Sequence, residues 1–414
     1  MLQLATPVLI LAAAVAQPPA AARRHAPPPL WIQAEELADQ QEAFRQWWGE
    51  ALELKLSALP TAGSVPDYRI PYAGHDYPDL AGGTIAVLEK YDRAFHGGRP
   101  LAADFERRDI AEHRRGRPAE PRGLFARLAA RRVPTWYGHC NGWTAAAIRH
   151  AEPQTAVVRG GVTFTPADIK GLLAELYMYC DSQFLGGVDP VIHPATLHLV
   201  LANWIGRGGH PIGMETAVGE VVVNYPVFDY RAEIQGADTP QPQVRLTITY
   251  VVNTPREQDK GPEKHYRQMT FLYTLLLDEE GRIRGGRYLP GSAQIDMLWV
   301  PRAPTQGGTA GNLRGNPHLN VKEVLALWRE SVPQELRQKW FNIDPTEEDR
   351  VPVPESLAGR EPPPKPATPA NATGAGTSDP AGTGEPATSS AAAESDRERG
   401  AAASSSPPAP SAAR

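Results

Sequence analysis

The chain is poor in the residues that metal and redox chemistry use. Only two cysteines and five methionines occur among 414 residues, and the eleven histidines and two cysteines form no HxH, HExxH or CxxC pair. Zinc catalysis therefore has no legible ligand set, and no metal site is expected. Walker and dinucleotide-binding loops are missing as well; Gly160-Gly161 and Gly186-Gly187 read as turn glycines. No motif calls for a cofactor, and a calcium requirement is not legible. A basic excess is also lacking, since the formal net charge is −5, so nucleic acid is not an expected partner. The Arg-rich run from Arg107 to Arg132 is interleaved with Glu, Asp and Pro and reads as a solvated helical face or loop.

Long apolar runs are confined to the start. Residues 1 to 16 form an apolar stretch that closes on Ala14-Val-Ala16, the pattern of a signal peptide, and imply a secreted or periplasmic protein. Beyond it nothing approaches the ~18 residues of a membrane span, so the mature chain is expected to be soluble. Residues 17 to 29 read as a linker. From 352 to 414 the sequence is Pro, Ala, Ser, Thr and Gly with almost no large apolar side chain. Such a tail cannot bury enough surface to offset its ordering entropy, and disorder is expected. Its sequon at Asn371 matters only in a glycosylating host.

Three zones lie between these ends. Residues 30 to 65 carry Phe44, Trp47, Trp48 and Leu52 at helical spacing, a helical N-terminal segment that belongs to the core or forms a removable prosegment. Residues 66 to 345 are taken as one catalytic domain. In it, 66 to 100 read as ordered aromatic and Gly-Pro loops, and 101 to 130 as mostly helical. Thr165-Pro-Ala-Asp168 opens a helix, with Thr as N-cap, Pro at the first helical position and Asp closing a capping box. Leu172, Leu173, Leu176 and Cys180 repeat on its apolar face, which turns Cys180 into a core. Strands are expected at 198 to 202, 220 to 226, 244 to 252, 268 to 277 and 282 to 289, the last two joined by Asp278-Glu-Glu-Gly281. A final helix is expected over 318 to 342. The class is α+β, with a nucleophile helix packed on an antiparallel sheet.

Cys140 stands out in Trp136-Tyr-Gly-His-Cys-Asn-Gly-Trp143, where a Gly-hinged turn meets the helix-forming text Trp143-Thr-Ala-Ala-Ala-Ile148. Unpaired N–H groups at a helix start favour a thiolate and face an oxyanion at a substrate carbonyl. Catalysis competes with two plainer fates: burial as a small hydrophobe, and a disulfide to Cys180. A base is required, and His198 is the best candidate, read as opening an apolar strand behind the loop that ends in His193-Pro-Ala-Thr196. Glu215 or, in a Cys-His-Asn variant, Asn224 would orient the imidazole. Trp136, Gly138, His139 and Trp143 would line the substrate cleft.

These residues resemble a family. Gly138-His-Cys-Asn-Gly-Trp-Thr-Ala-Ala146, Asp168-Ile-Lys-Gly-Leu-Leu173, His198-Leu-Val-Leu-Ala-Asn-Trp-Ile-Gly206 and Glu220-Val-Val-Val-Asn-Tyr-Pro-Val-Phe-Asp-Tyr230 occur in the order found in the transglutaminase elicitor family. Tyr72-Ala-Gly-His-Asp-Tyr-Pro78 and Lys90-Tyr-Asp92 are similar to its entry region. The resemblance spans residues 66 to 300. It implies a papain-like protein-glutamine gamma-glutamyltransferase in which Cys140 attacks a glutamine carboxamide, His198 passes a proton to ammonia, and a lysine or small amine resolves the thioester. Protein substrates with exposed Gln and Lys would be the partners. The family's Trp-Asn-Gln-Pro elicitor core reads Val223-Asn-Tyr-Pro226 here, a departure at the receptor-recognised peptide. Two other functions use the same residues: a cysteine protease or amidase, in which water takes the acyl group, and a secreted binding or effector protein without catalysis.

Overall fold

The computed structural model of this protein describes residues 30 to 115, 137 to 187, 191 to 218 and 221 to 339. The expected signal peptide, linker and tail lie outside these residues, as does Trp136. The first helix, α1 (Ala34–Trp48), has Glu35 and Glu36 in its first turn and stops where Gly49 turns left-handed at φ 72°. Acidic side chains suit the positive end of a helix, and a glycine there has no Cβ to clash. Phe44 and Trp48 are buried in the main core. The next element, β1 (Ala62–Ser64), pairs antiparallel with Asp229 to Arg231. Ile32 and Leu54 bond to the backbone at Arg284 and Ile283. Residues 30 to 65 thus contribute a helix and a strand to the same core, and cutting at 65 would strip covering side chains from it.

Two helices follow, α2 (Ile85–Phe95) and α3 (Leu101–Arg115). The first falls in a stretch read as loop, because its surroundings are rich in Gly and Pro; Val87, Leu88 and Tyr91 supply its buried face. Next come α4 (Cys140–Arg149), the hairpin β2 (Val157–Arg159) and β3 (Val162–Phe164) turning on Gly160 and Gly161, and α5 (Pro166–Tyr177). The start of α5 follows the sequence reading closely: Thr165 Oγ1 accepts from the Asp168 N–H, and Asp168 accepts from the Thr165 N–H at 2.7 Å. The helix ends at Tyr177, so Cys180 lies beyond it, with its Sγ 3.1 Å from Leu176 O.

After β4 (Ser182–Gly186) comes the largest departure from expectation. The run containing His198 is a helix, α6 (Pro194–Val200), which continues as a π-helical turn through Leu201–Arg207. Short apolar runs fit either a strand or a buried helix. The deciding signal sits upstream: Pro194 takes the first helical position, and His193 Nδ1 caps it by accepting from the Ala195 N–H at 3.2 Å.

The remaining strands are β5 (Ile212–Glu215), β6 (Asn224–Gln235), β7 (Gln243–Val251), β8 (Tyr266–Leu277), β9 (Ile283–Tyr288) and β10 (Met297–Pro301). The main sheet runs β4-β10-β5-β6-β7-β8-β9, with β1 alongside β6, and all its pairs are antiparallel. Period-two alternation sends Val244, Leu246, Ile248 and Tyr250 of β7 inward and leaves Arg245 outside. The chain closes with α7 (Val321–Ser331), capped by Asn320 Oδ1 on the Lys322 N–H at 2.9 Å, and the short α8 (Gln334–Gln338), divided from it at Pro333. The fold is α+β: α4 packs on α5 on one side and on β5, β6 and β10 on the other. Among the described residues no helix is long and apolar enough to cross a membrane.

Candidate active site

Cys140 is the first residue of α4, and His139 is its N-cap. Two glycines make that start possible by close approach. A Cβ on Gly138 would lie 2.6 Å from Asp76 O, and one on Gly142 would lie 2.1 Å from Ala174 O. The first lets the loop carrying His139 run under the segment around Asp76, whose carbonyl accepts from the His139 N–H. The second seats the opening turn of α4 against α5. Trp143 is fully buried beside Tyr72 and Tyr77, so it packs the site from beneath and does not line an open cleft.

The sulfur of Cys140 is half-buried and free, as is that of Cys180, so these two residues form no disulfide. Around Sγ the backbone carbonyl of Val222 lies at 3.7 Å, placed to accept from the thiol. The Asn224 Nδ2 amide lies at 3.8 Å and points its donor at the sulfur. Trp299 Nε1 donates to the other end of that amide, Oδ1, at 2.9 Å. Glu215 stands directly opposite Asn224 in the β5–β6 register. Opposed residues of an antiparallel pair project from one face with their Cβ atoms about 5 Å apart, which puts the Glu215 carboxyl on the Cys140 side of the sheet.

The electrostatics differ from the sequence expectation of a thiol lowered by its helix start. Burial pushes the Cys140 thiol up, and the negative charges of Asp76 and Glu215 add to this; the backbone N–H and side-chain amide of Asn224 offset it only in part. Desolvation disfavours the charged form and here outweighs the helix terminus. Glu215 is itself pushed up to about 8, first by burial and then by the neighbouring Asp296. A carboxyl of that pKa gains and loses a proton near neutrality.

His198 is not part of this cluster. It sits on a helix, is 1% exposed, and its Nδ1 is hydrogen-bonded to the Tyr273 hydroxyl at 2.8 Å. Burial holds its pKa down at about 4. Once 198 to 202 is helical, the imidazole turns toward Tyr273 of β8, and no hydrogen bond joins it to Cys140. Among the described residues no histidine hydrogen-bonds to that sulfur. The structure brings together Cys140, Glu215 and Asn224, with Gly138 and Trp143 as supports, and it separates His198 from them.

His139 adjoins Cys140 in the chain, but its ring points into a buried acidic cluster. Its Nε2 is 2.9 Å from Glu175 Oε2 and 3.6 Å from Glu106 Oε1. Thr84 Oγ1 and Asn316 Nδ2 donate to the two oxygens of Glu175 at 2.7 and 3.2 Å. Asp79, Glu106 and His139 offer ligand atoms within 4.8 Å of one another, while the His139 Nε2 is already engaged by Glu175. This assembly draws on five separate segments and has no local sequence signature. Trp299 was missed as well: the run at 297 to 301 carries no motif, and only the register places its indole at Asn224.

Residues 126 to 187, the segment that holds Cys140 and α5, match the transglutaminase elicitor family. The crystal structure of the GP42 transglutaminase from Phytophthora sojae superposes with a TM-score of 0.57 at 22% identity, over 73% of this chain and 98% of that one. At that identity the likeness speaks to the fold, which is transglutaminase-like. No curated protein matches the sequence.

Proposed function

We propose that the protein is a protein-glutamine gamma-glutamyltransferase that forms a thioester on Cys140. One observation carries the reading: the free sulfur sits at the first residue of a helix, within hydrogen-bond reach of an amide donor and beside a carboxyl that titrates near neutrality. The match at residues 126 to 187 and the transglutaminase-like fold support it.

In this scheme Glu215 replaces His198 as the proton carrier. Its carboxylate takes the Cys140 thiol proton, and the thiolate attacks the carboxamide carbon of a protein glutamine. The C–N bond breaks, ammonia leaves with the proton returned by Glu215, and a Cys140 thioester remains. A lysine or small primary amine then attacks the carbonyl, its surplus proton passes to Glu215, and the thiol is restored. The scheme uses no cofactor. Water in place of the amine gives the hydrolytic alternative, deamidation.

The test is incubation of the protein with a glutamine peptide and a labelled amine. Label is expected in the peptide, and Cys140→Ala is expected to lose incorporation by more than about 100-fold while keeping the wild-type melting temperature. Peptide cleavage without label would make the protein a protease. Full activity in Cys140→Ala would remove the thiol mechanism.

A further inference from the structure

The Asn224 side chain is held by contacts that fix which end faces the sulfur. Oxygen and nitrogen of an amide are told apart by their partners. The indole N–H of Trp299 can only donate, so the end it meets at 2.9 Å is the oxygen. The amide nitrogen is thereby left toward Cys140 Sγ, at 3.8 Å. The indole cannot easily move away: Gly213 of β5 lies under it, where a Cβ would be 2.3 Å from the ring. Thr144 Oγ1, one turn along the nucleophile helix, donates to the Asn224 carbonyl at 3.2 Å and ties the strand to α4.

An amide bound in this way turns its acceptor end to Trp299 and away from the sulfur. It presents N–H donors beside the sulfur, with Nδ2 3.8 Å away, as an oxyanion on a carbon bonded to Sγ requires. The Asn224 backbone N–H also acts on the sulfur. We propose that Asn224 is the oxyanion donor of the Cys140 site and that Trp299 is the positioning residue that keeps its Nδ2 facing the reacting atoms. The proposal deepens the acyl-transfer reading and rests on it for the identity of the acyl group. The donor itself can be tested without turnover.

A peptide carrying an aldehyde at the glutamine position serves as the probe. Its carbonyl carbon bonds to Sγ, the thiol proton moves to the oxygen, and the resulting thiohemiacetal needs the same donor as the transition state. Affinity for this peptide and the pH midpoint of Cys140 alkylation by iodoacetamide are measured in a Cys180→Ala background. They are compared with melting temperature and with kcat and KM for amine incorporation. Asn224→Ala is expected to weaken aldehyde binding at least tenfold and to lower kcat by about 100-fold with KM little changed. Trp299→Phe removes the N–H donor together with one ring of the indole; it is expected to give smaller losses of the same pattern. Asn224→Asp, of equal shape, is expected to move the alkylation midpoint upward. Should a variant unfold, the isosteric Asn224→Asp decides alone. Folded variants that bind the aldehyde as wild type does and alkylate at the wild-type midpoint overturn the proposal. A wild-type protein that binds the aldehyde in an Asn224-dependent way but incorporates no amine keeps the donor and removes the transferase reading.

Discussion

His139 Nε2 lies 2.9 Å from Glu175 Oε2, with both side chains buried and Cys140 the next residue along the chain. The pair closes a cluster in which charge is balanced inside the protein. Burial alone would strip the imidazole of its proton, but Glu106 and the hydrogen bond to Glu175 hold its pKa up at about 10. Glu106 is pushed up to about 8, chiefly by burial and then by Glu175. Glu175, despite its burial, is held below the usual carboxylate range by His139, Thr84 and Asn316. The start of the nucleophile helix is therefore anchored by an imidazolium in an acidic socket.

That socket predicts alkaline lability. The His139 pKa is raised from 6.5 to about 10 and that of Glu106 from 4.5 to about 8. For a raised group, stability is fully present below the unfolded value and is lost as pH rises through the folded one. Urea midpoints should accordingly fall from about pH 4.5 to 8 through Glu106 and from about pH 6.5 to 10 through His139. His139→Gln should cost about 3 to 5 kcal/mol by leaving buried carboxylates uncompensated. A midpoint constant across these windows would show that the cluster does not couple folding to protons.

Much of the fold was legible, and the limits follow from what local text can encode. The capping box at Thr165 and Asp168, the strands β7, β8 and β9 and the turn at Gly281 all rest on short-range signals, and the structure has them where the sequence put them. Cys140 at a helix start was legible for the same reason. His198 was misread because a largely apolar run of five residues carries no period, and the cap that settled the matter lay on His193 and Pro194. The Asn224–Trp299 bond and the His139 socket join residues 75 and 36 positions apart. Only tertiary register brings such residues together.

The misreading of His198 has its own consequence. If the ring is structural, Tyr273→Phe leaves the buried Nδ1 without its 2.8 Å partner and should cost about 1 to 3 kcal/mol. The folded fraction should keep wild-type kcat/KM. Chemical denaturation and steady-state rates on the same preparation separate the two effects, and a variant of normal stability with lost turnover would return His198 to the active site.

Gly142→Ala should damage both stability and chemistry. Its Cβ would meet the Ala174 carbonyl oxygen at 2.1 Å, a contact with backbone that no rotamer change relieves. Overpacking of this kind costs about 1 to 3 kcal/mol, and relief requires α4 to withdraw from α5, carrying Cys140 away from Asn224. A lower melting temperature together with slower aldehyde binding is expected. An unchanged melting temperature would mean that α4 is not packed so closely at Gly142.

The pH profile of turnover tests Glu215 most directly. A base must be ionised, and the Glu215 pKa of about 8 makes kcat/KM rise with pH through that value. Cys140, also pushed up by burial, titrates in the same direction and interacts with Glu215. The ascending limb therefore belongs to the pair, and its midpoint alone assigns neither group. Asp296 separates them, because after burial it is the next cause holding Glu215 up. Asp296→Asn removes a negative neighbour, so the carboxylate forms more readily and the limb should move toward acid, with alkylation of Cys140 following by a smaller amount. Glu215→Gln should lower the plateau by about 100-fold, within the usual range for loss of a general base. It should also leave a limb governed by the thiol alone. A limb that stays in place in both variants would put the proton acceptor elsewhere and leave Glu215 as a buried spectator.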